Sequence, residues 1–195
     1  MPTDPGLPDW RLLLNRLHAT FSASSLADAG AFVQRVAQDV GADLDLRPPG
    51  LVHVSVPAGE AATAEAISAL AAEAGLLSRP VEASLTEVAI DAMDIPAVKP
   101  FWRAVLGYVD DGDEALADPA RVGPPVWFQQ MDVPRTERNR FHLDVTVPHD
   151  VADARLADAI AAGGTLLDDR EAKAFWVLAD PEGNEACICT WQDRG

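Results

Sequence analysis

The chain has 195 residues, 48% of them apolar, and a formal net charge of −16 from 31 acidic against 15 basic residues. That length suits one large domain or two small ones. An acidic surface repels phosphate backbones and anionic lipids, which argues against nucleic-acid and membrane-surface roles, and no apolar run approaches the ~18 residues of a membrane span. The first residues, MPTDPGLPDW, show no basic region followed by an apolar run. No secretory leader is therefore expected, and a cytoplasmic location follows. After this Pro-rich tail a short helix is expected over Trp10 to Leu17, then a short strand to Phe21. Ser25, with Asp28 three residues on, can cap a helix whose apolar face carries Leu26, Ala29, Phe32, Val33, Val36 and Val40, ended by Gly41. Leu51 to Val56 alternates as a half-buried strand, with Leu51, His53 and Ser55 on one face. An Ala-rich helix follows from about Thr63 to Ala74, stopped by Gly75. Leu77 to Glu82, with Pro80, reads as a linker, which divides the chain into domains at 1–80 and 81–195.

The second half starts afresh. A strand is expected over Leu85 to Asp91, then a helix capped by Asp94, bearing Val98, Phe101, Trp102, Val105 and Leu106 and closed by Gly107. Pro96 and Pro100 belong to its first turns. Short strands near 107–109 and 114–117 precede a firmer one at Val126–Met131. The same order then returns: strand Phe141 to Val147, a helix capped by Asp150 and running to Ala162, and strands near 165–167, 175–179 and 185–191. Glu87 precedes its helix-closing Gly107 by 20 residues and His142 precedes Gly163 by 21. A βαβββ unit used twice is the expected architecture, with a polar site between the copies. The overall class is α+β. The only cysteines, Cys187 and Cys189, stand two apart in one strand. Their α-carbons would lie ~6.5–7 Å apart, poorly placed for a disulfide.

Glu87-Val-Ala-Ile-Asp91 with Phe101-Trp102-Arg-Ala-Val-Leu-Gly107, Arg138-Asn-Arg-Phe-His142-Leu-Asp144, and Trp176-Val-Leu-Ala-Asp180-Pro-Glu-Gly-Asn184 together resemble the vicinal-oxygen-chelate (glyoxalase/bleomycin-resistance) superfamily, in particular its glyoxalase-like subgroup. The resemblance implies a U-shaped cleft to which each module gives one ligand from its first strand and one from its last. Carried over by position, the first-strand ligands fall on Glu87 and His142. The last-strand position of the first module falls on Gln129 or Gln130, as register decides. In the second module it falls on Cys187, where Glu185, on the same strand face, can substitute. Glu87, His142 and Glu185 are thus the expected metal and catalytic set, for Zn²⁺, Ni²⁺, Mn²⁺ or Fe²⁺. Without a metal the same groups become hydrogen-bonding walls of a ligand cleft.

Asp144 shares a face with His142 and can orient the imidazole, accept from a ligand, or pair with Arg138 or Arg140. Those arginines suit an anionic ligand or simply offset the acidic surface. Trp127, Phe128, Phe175, Trp176 and Trp191 are candidates for an apolar wall, and at strand alternation half of them belong in the core. Cys187 reads as a small buried hydrophobe rather than a nucleophile. In the first half, Phe32-Val-Gln-Arg-Val-Ala37 followed by Leu51-Val-His-Val-Ser-Val56 resembles pterin-4a-carbinolamine dehydratases. The stretches where that family keeps its histidines, Asp43 to Pro49 and Pro57 to Gly59, contain none. The expected function is that of a small-molecule cleft protein: a metal-dependent lyase, isomerase or dioxygenase on a small oxygenated metabolite. A non-catalytic sequestering protein of the bleomycin-resistance type is the alternative, and a pterin-dehydratase-like activity the third reading. A homodimer is left open.

Overall fold

A computed structural model describes residues 6–80, 85–135, 137, 139 and 141–193. The chain divides into two compact units, Met1–Leu85 and Thr86–Gly195.

In the first unit, Trp10–Leu13 (β1) and Arg16–Ser22 (β2) form an antiparallel hairpin. The expected helix over Trp10 to Leu17 is therefore corrected. Leu14 and Asn15 both adopt positive φ, 47° and 59°, which is the two-residue turn that matches strand twist. Trp10, Leu12, Leu17, Ala19 and Phe21 turn to the core while Arg11, Arg16 and His18 take the other face. Helix α1 (Leu26–Asp39) starts as expected, with the Ser25 side chain accepting from the Asp28 amide, and Gly41 follows it at φ 85°. Asp43–Arg47 (β3) was not foreseen. It pairs with Leu51–Pro57 (β4), setting Leu44 and Leu46 against the core and Asp43, Asp45 and Arg47 outward. Helix α2 spans Ala61–Glu73, and the expected linker opens with a two-residue strand, Leu77–Ser78 (β5), on the end of β2. Strand order is β1-β2-β4-β3 with β5 beside β2. Phe32 and Val36 of α1 and Ile67 and Ala71 of α2 pack with Val52, Val54 and Val56 in one cluster. Trp10, Phe21 and Phe32 meet edge to face.

The second unit repeats one topology. Val88–Ala92 (β6), α3 (Ile95–Leu106), Val109–Asp110 (β7), Ala115–Ala117 (β8) and Val126–Gln130 (β9) give a sheet ordered β6-β9-β8-β7. Leu143–Thr146 (β10), α4 (Ala152–Ala161), Thr165–Asp168 (β11), Phe175–Ala179 (β12) and Glu185–Cys189 (β13) give β10-β13-β12-β11. In each module the first strand runs parallel to the last and the other pairs are antiparallel. Asp94 caps α3 by accepting from the Ala97 amide at 3.1 Å, and Gly107 ends it at φ 72°. Asp150 does not cap α4. The Pro148–Val151 turn makes Val151 the cap residue, with no side-chain bond. Strand β10 is shorter than expected and leaves Phe141 and His142 ahead of it, and β13 stops at Cys189, after which Thr190 Oγ1 accepts from the Gln192 amide.

Both modules bury their apolar faces in a single core. Ile90, Phe101, Trp102, Val105 and Phe128 of the first pack with Ala159, Trp176, Leu178 and Ile188 of the second. The turn Asp180-Pro-Glu-Gly-Asn184 ties them together. Buried Asp180 accepts from the Glu182 and Asn184 amides at 2.9 Å, from Asn184 Nδ2 at 2.8 Å, and from Trp102 Nε1 of α3 at 2.9 Å. Glu182 reaches back to the start of α3, accepting from the Met93 and Asp94 amides at 2.7–2.9 Å, where a carboxylate also meets the positive end of the helix dipole. At Gly164 a β-carbon would overlap the buried Phe101 ring and stand 2.8 Å from the Ala159 carbonyl oxygen. Gly164→Ala is expected to destabilise this unit by about 1–3 kcal/mol, the usual cost of overpacking, measured by urea unfolding. An unchanged midpoint would show that the Phe101 ring can move aside.

Candidate functional site

Strand alternation decides which side chains leave the core. In β6, Ile90 and Ala92 join the core, so Ala89 and Asp91 point the other way. In β9, Val126 and Phe128 are core, and Trp127 and Gln129 stand opposite Ala89 and Asp91. The second module follows the same rule. Ala186 and Ile188 face the core, and Leu143 and Val145 pack against it, so Asp144 and Thr146 of β10 share the outer face with Glu185 and Cys187 of β13.

From these faces Ala89, Asp91 and Glu185 line a cleft of about 780 Å³ within the second unit, whereas Asp144 and Cys187 are not among its lining residues. Its walls include Ile90 and Asp91 from β6, His142 and Leu143 at the start of β10, and Asn184 and Glu185 at the start of β13. The connection between the modules adds Pro134, Arg135, Glu137, Asn139 and Phe141. Phe141 is 89% exposed, an unusual state for a phenyl ring beside a cavity. Arg135 pairs with Asp91. Asn139 Nδ2 donates to Asn184 Oδ1 at 2.6 Å, which joins the connection to the end of the Asp180 turn.

His142, Asp144 and Cys187 come together. One ligand atom of each, nitrogen, oxygen and sulfur, lies within 4.8 Å of the others. Asp144 and Cys187 are Cα partners across the parallel β10–β13 pair, and His142 Nε2 is 3.2 Å from Asp144 Oδ1. The Cys187 thiol is buried and hydrogen-bonded to Asp144. Burial first, then that bond and the nearby carboxylate charge, push it up to about 12, so it is protonated at neutral pH. With the folded value above the ordinary thiol range, the stabilising contribution is present below about pH 8.5 and fades as pH climbs toward the folded value. As a donor set, an imidazole, a carboxylate and a thiol fit a divalent ion with coordination positions left open.

The other expected residues take different places. Glu185 lines the cleft, two residues from Cys187 on the same face of β13. Glu87 is exposed ahead of β6 and lines neither the cleft nor the His142 group. Register places Gln129 on the outer face beside Asp91, whereas Gln130 spends its amide on the Met93 and Met131 carbonyls at 2.9 Å. Trp127 is half-buried and is not part of the cleft wall. Phe128 and Trp176 are core residues, and Trp191 is exposed against His149. Arg138 and Arg140 lie outside the described residues. Sequence reasoning missed Trp102, Arg135, Glu137, Asn139 and Asn184 as cleft residues. Asp91 was within reach, since it alternates in phase with Ala89.

Residues 87–189, just over half of the chain, match the family described as the glyoxalase-like domain. No curated protein matches the chain. Among solved structures, the chain is similar to a glyoxalase/bleomycin resistance protein/dioxygenase family enzyme from Burkholderia phytofirmans PsJN. They share 25% identity over 55% of this chain and 98% of that one, with a TM-score of 0.47. The fosfomycin resistance protein FosX from Mesorhizobium loti aligns at 12% identity over 54% and 90% of the two chains, TM-score 0.44. FosX from Listeria monocytogenes, in complex with Mn(II) and sulfate, aligns at 11% over 55% and 90%, TM-score 0.43. Among the described residues no helix is long and apolar enough to cross a membrane.

Proposed function

The chain belongs to the glyoxalase-like family through residues 87–189, and from that membership we propose that its cleft receives a small oxygenated metabolite beside a divalent metal ion held by His142, Asp144 and Cys187. The observation that carries this reading is the convergence of three different ligand atoms within 4.8 Å. Such an ion, when bound, would polarise adjacent substrate oxygens. The chain's own groups supply the rest. Glu185, in the cleft wall, is the carboxylate assigned to moving a proton on the substrate. Phe141, Ile90 and Trp102 offer the apolar surface, and the linked Asn139 and Asn184 offer amide hydrogen bonds. Glu87 has no assigned role in this reading.

Elemental analysis of protein purified without chelators, followed by thermal unfolding with added Zn²⁺, Ni²⁺ or Mn²⁺, is the test. At 100 times the dissociation constant a single-site ligand stabilises by about 2.7 kcal/mol, or roughly 10–15 °C in the transition of a unit the size of Thr86–Gly195. No bound metal and no shift with any of the three ions would remove the metal from the account.

One observation favours the second reading, a non-catalytic binder. Asp144 already holds both the His142 ring nitrogen and the Cys187 thiol, so the three groups satisfy one another without an ion. In that case the cleft sequesters its ligand by shape and hydrogen bonds. For the N-terminal unit we assign no pterin chemistry. Its histidines, His18 and His53, stand on β2 and β4, and proton transfer to a hydroxypterin needs a group titrating near neutrality at the family's positions.

A further inference from the structure

Resting on the metal reading above, we propose that Cys187 supplies a sulfur ligand, and that the site therefore selects Zn²⁺ or Co²⁺ over Mn²⁺ and Mg²⁺. The inference comes from where the sulfur is held. Cys187 sits mid-way along β13, paired on one side with Asp144 of β10 and on the other with Val177 of β12. Hydrogen-bonded strands on both sides fix its backbone, and alternation turns its side chain from the core toward His142 and Asp144. A position on a central strand is placed more rigidly than one on a loop. Glu185, which the sequence offered as a substitute for Cys187 at the last-strand position, shares this face but is not part of the three-atom group, so the donor set is nitrogen, oxygen and sulfur rather than the oxygen-rich set of Glu87, His142 and Glu185. Thiolate and imidazole suit the borderline-soft ions, whereas Mn²⁺ and Mg²⁺ favour carboxylate, carbonyl and water oxygens.

On taking up such an ion Cys187 would give its thiol proton to solvent as its sulfur becomes a ligand, with no change of oxidation state. Cys189, two residues on, lies opposite Thr146 and Phe175 and is not part of the group. It is the control.

The test uses the full chain freed of metal and titrated with Co²⁺, read by ultraviolet-visible absorption. The wild type should develop a thiolate-to-cobalt charge-transfer band that Zn²⁺ abolishes and a 100-fold excess of Mn²⁺ does not. Cys187→Ser should lose the band and bind Zn²⁺ more weakly by more than about 100-fold, beyond the range seen for groups that only support a ligand. Cys189→Ser should keep the band, and the near-ultraviolet dichroism of both variants should match wild type. Co²⁺ bound without the band, or a band that survives Cys187→Ser, overturns the sulfur ligand and leaves an ion held by His142 and Asp144 alone. No binding of Co²⁺ or Zn²⁺ at all overturns both.

Discussion

Replacing His142 by alanine is expected to lower Zn²⁺ affinity by more than about 100-fold while leaving the unfolding of the metal-free protein nearly unchanged. The side chain precedes β10, is about half exposed, and makes its described polar contact with Asp144 alone. Losing a solvent-exposed His–carboxylate contact costs about 0–1 kcal/mol, because water takes over both partners. Losing one of three ligands is far larger, since even groups that only orient a ligand change affinity by 10–100-fold. Isothermal titration of wild type and variant, beside urea unfolding of the metal-free forms, separates the two effects. Equal affinities would mean that the ion binds somewhere else. A large loss of metal-free stability would mean that His142 is structural.

Asp180→Ala is expected to have the largest effect on stability, about 3–5 kcal/mol. The carboxylate is buried and receives four hydrogen bonds, two from backbone amides, one from Asn184 Nδ2 and one from the indole of Trp102. Truncation leaves those donors without partners in a site too enclosed for full rehydration, which is costlier than losing the bonds themselves. Asp180→Asn should fall between. It keeps one acceptor oxygen but turns its NH2 toward two donors, either the Trp102 indole and Asn184 Nδ2 or the Glu182 and Asn184 backbone amides. Urea unfolding followed through Trp fluorescence reads both variants, and a cost below about 1 kcal/mol for the alanine would show that the turn is not what joins the modules. Because Trp102 also lines the cleft, the same variant should weaken ligand binding.

The repeat was legible because each of its marks has a local cause. Asp94 and Gly107 bracket α3 as a cap and a left-handed stop, and the spacing of Val98, Phe101, Trp102 and Val105 shows its buried face. The alternation of β10 and β13 already put His142, Asp144, Glu185 and Cys187 on one side of a sheet. It could not say which of them meet, since that depends on pairing register: Asp144 falls opposite Cys187, and Glu185 lies one pair-step away. Glu87 was carried over by position, and the strand starts one residue after it. The residues of the 131–142 connection show no periodicity, so Arg135 and Asn139 gave no sign of facing a cavity. The hairpin at Leu14-Asn15 was hidden by a run of three leucines that fits a helix as well as a strand. Burial of Trp10 against α2, where its Nε1 donates to Ser68 Oγ at 2.9 Å, is a tertiary contact that outweighs that local preference.

The proposed metal site is tested most directly by anomalous diffraction at the zinc edge from crystals of the metal-free full chain soaked in a Zn²⁺ salt. The expected result is a single strong peak about 2.0–2.3 Å from a ring nitrogen of His142, an oxygen of Asp144 and Sγ of Cys187. A peak held by other side chains, or none in a crystal where these three remain bonded only to one another, would contradict it.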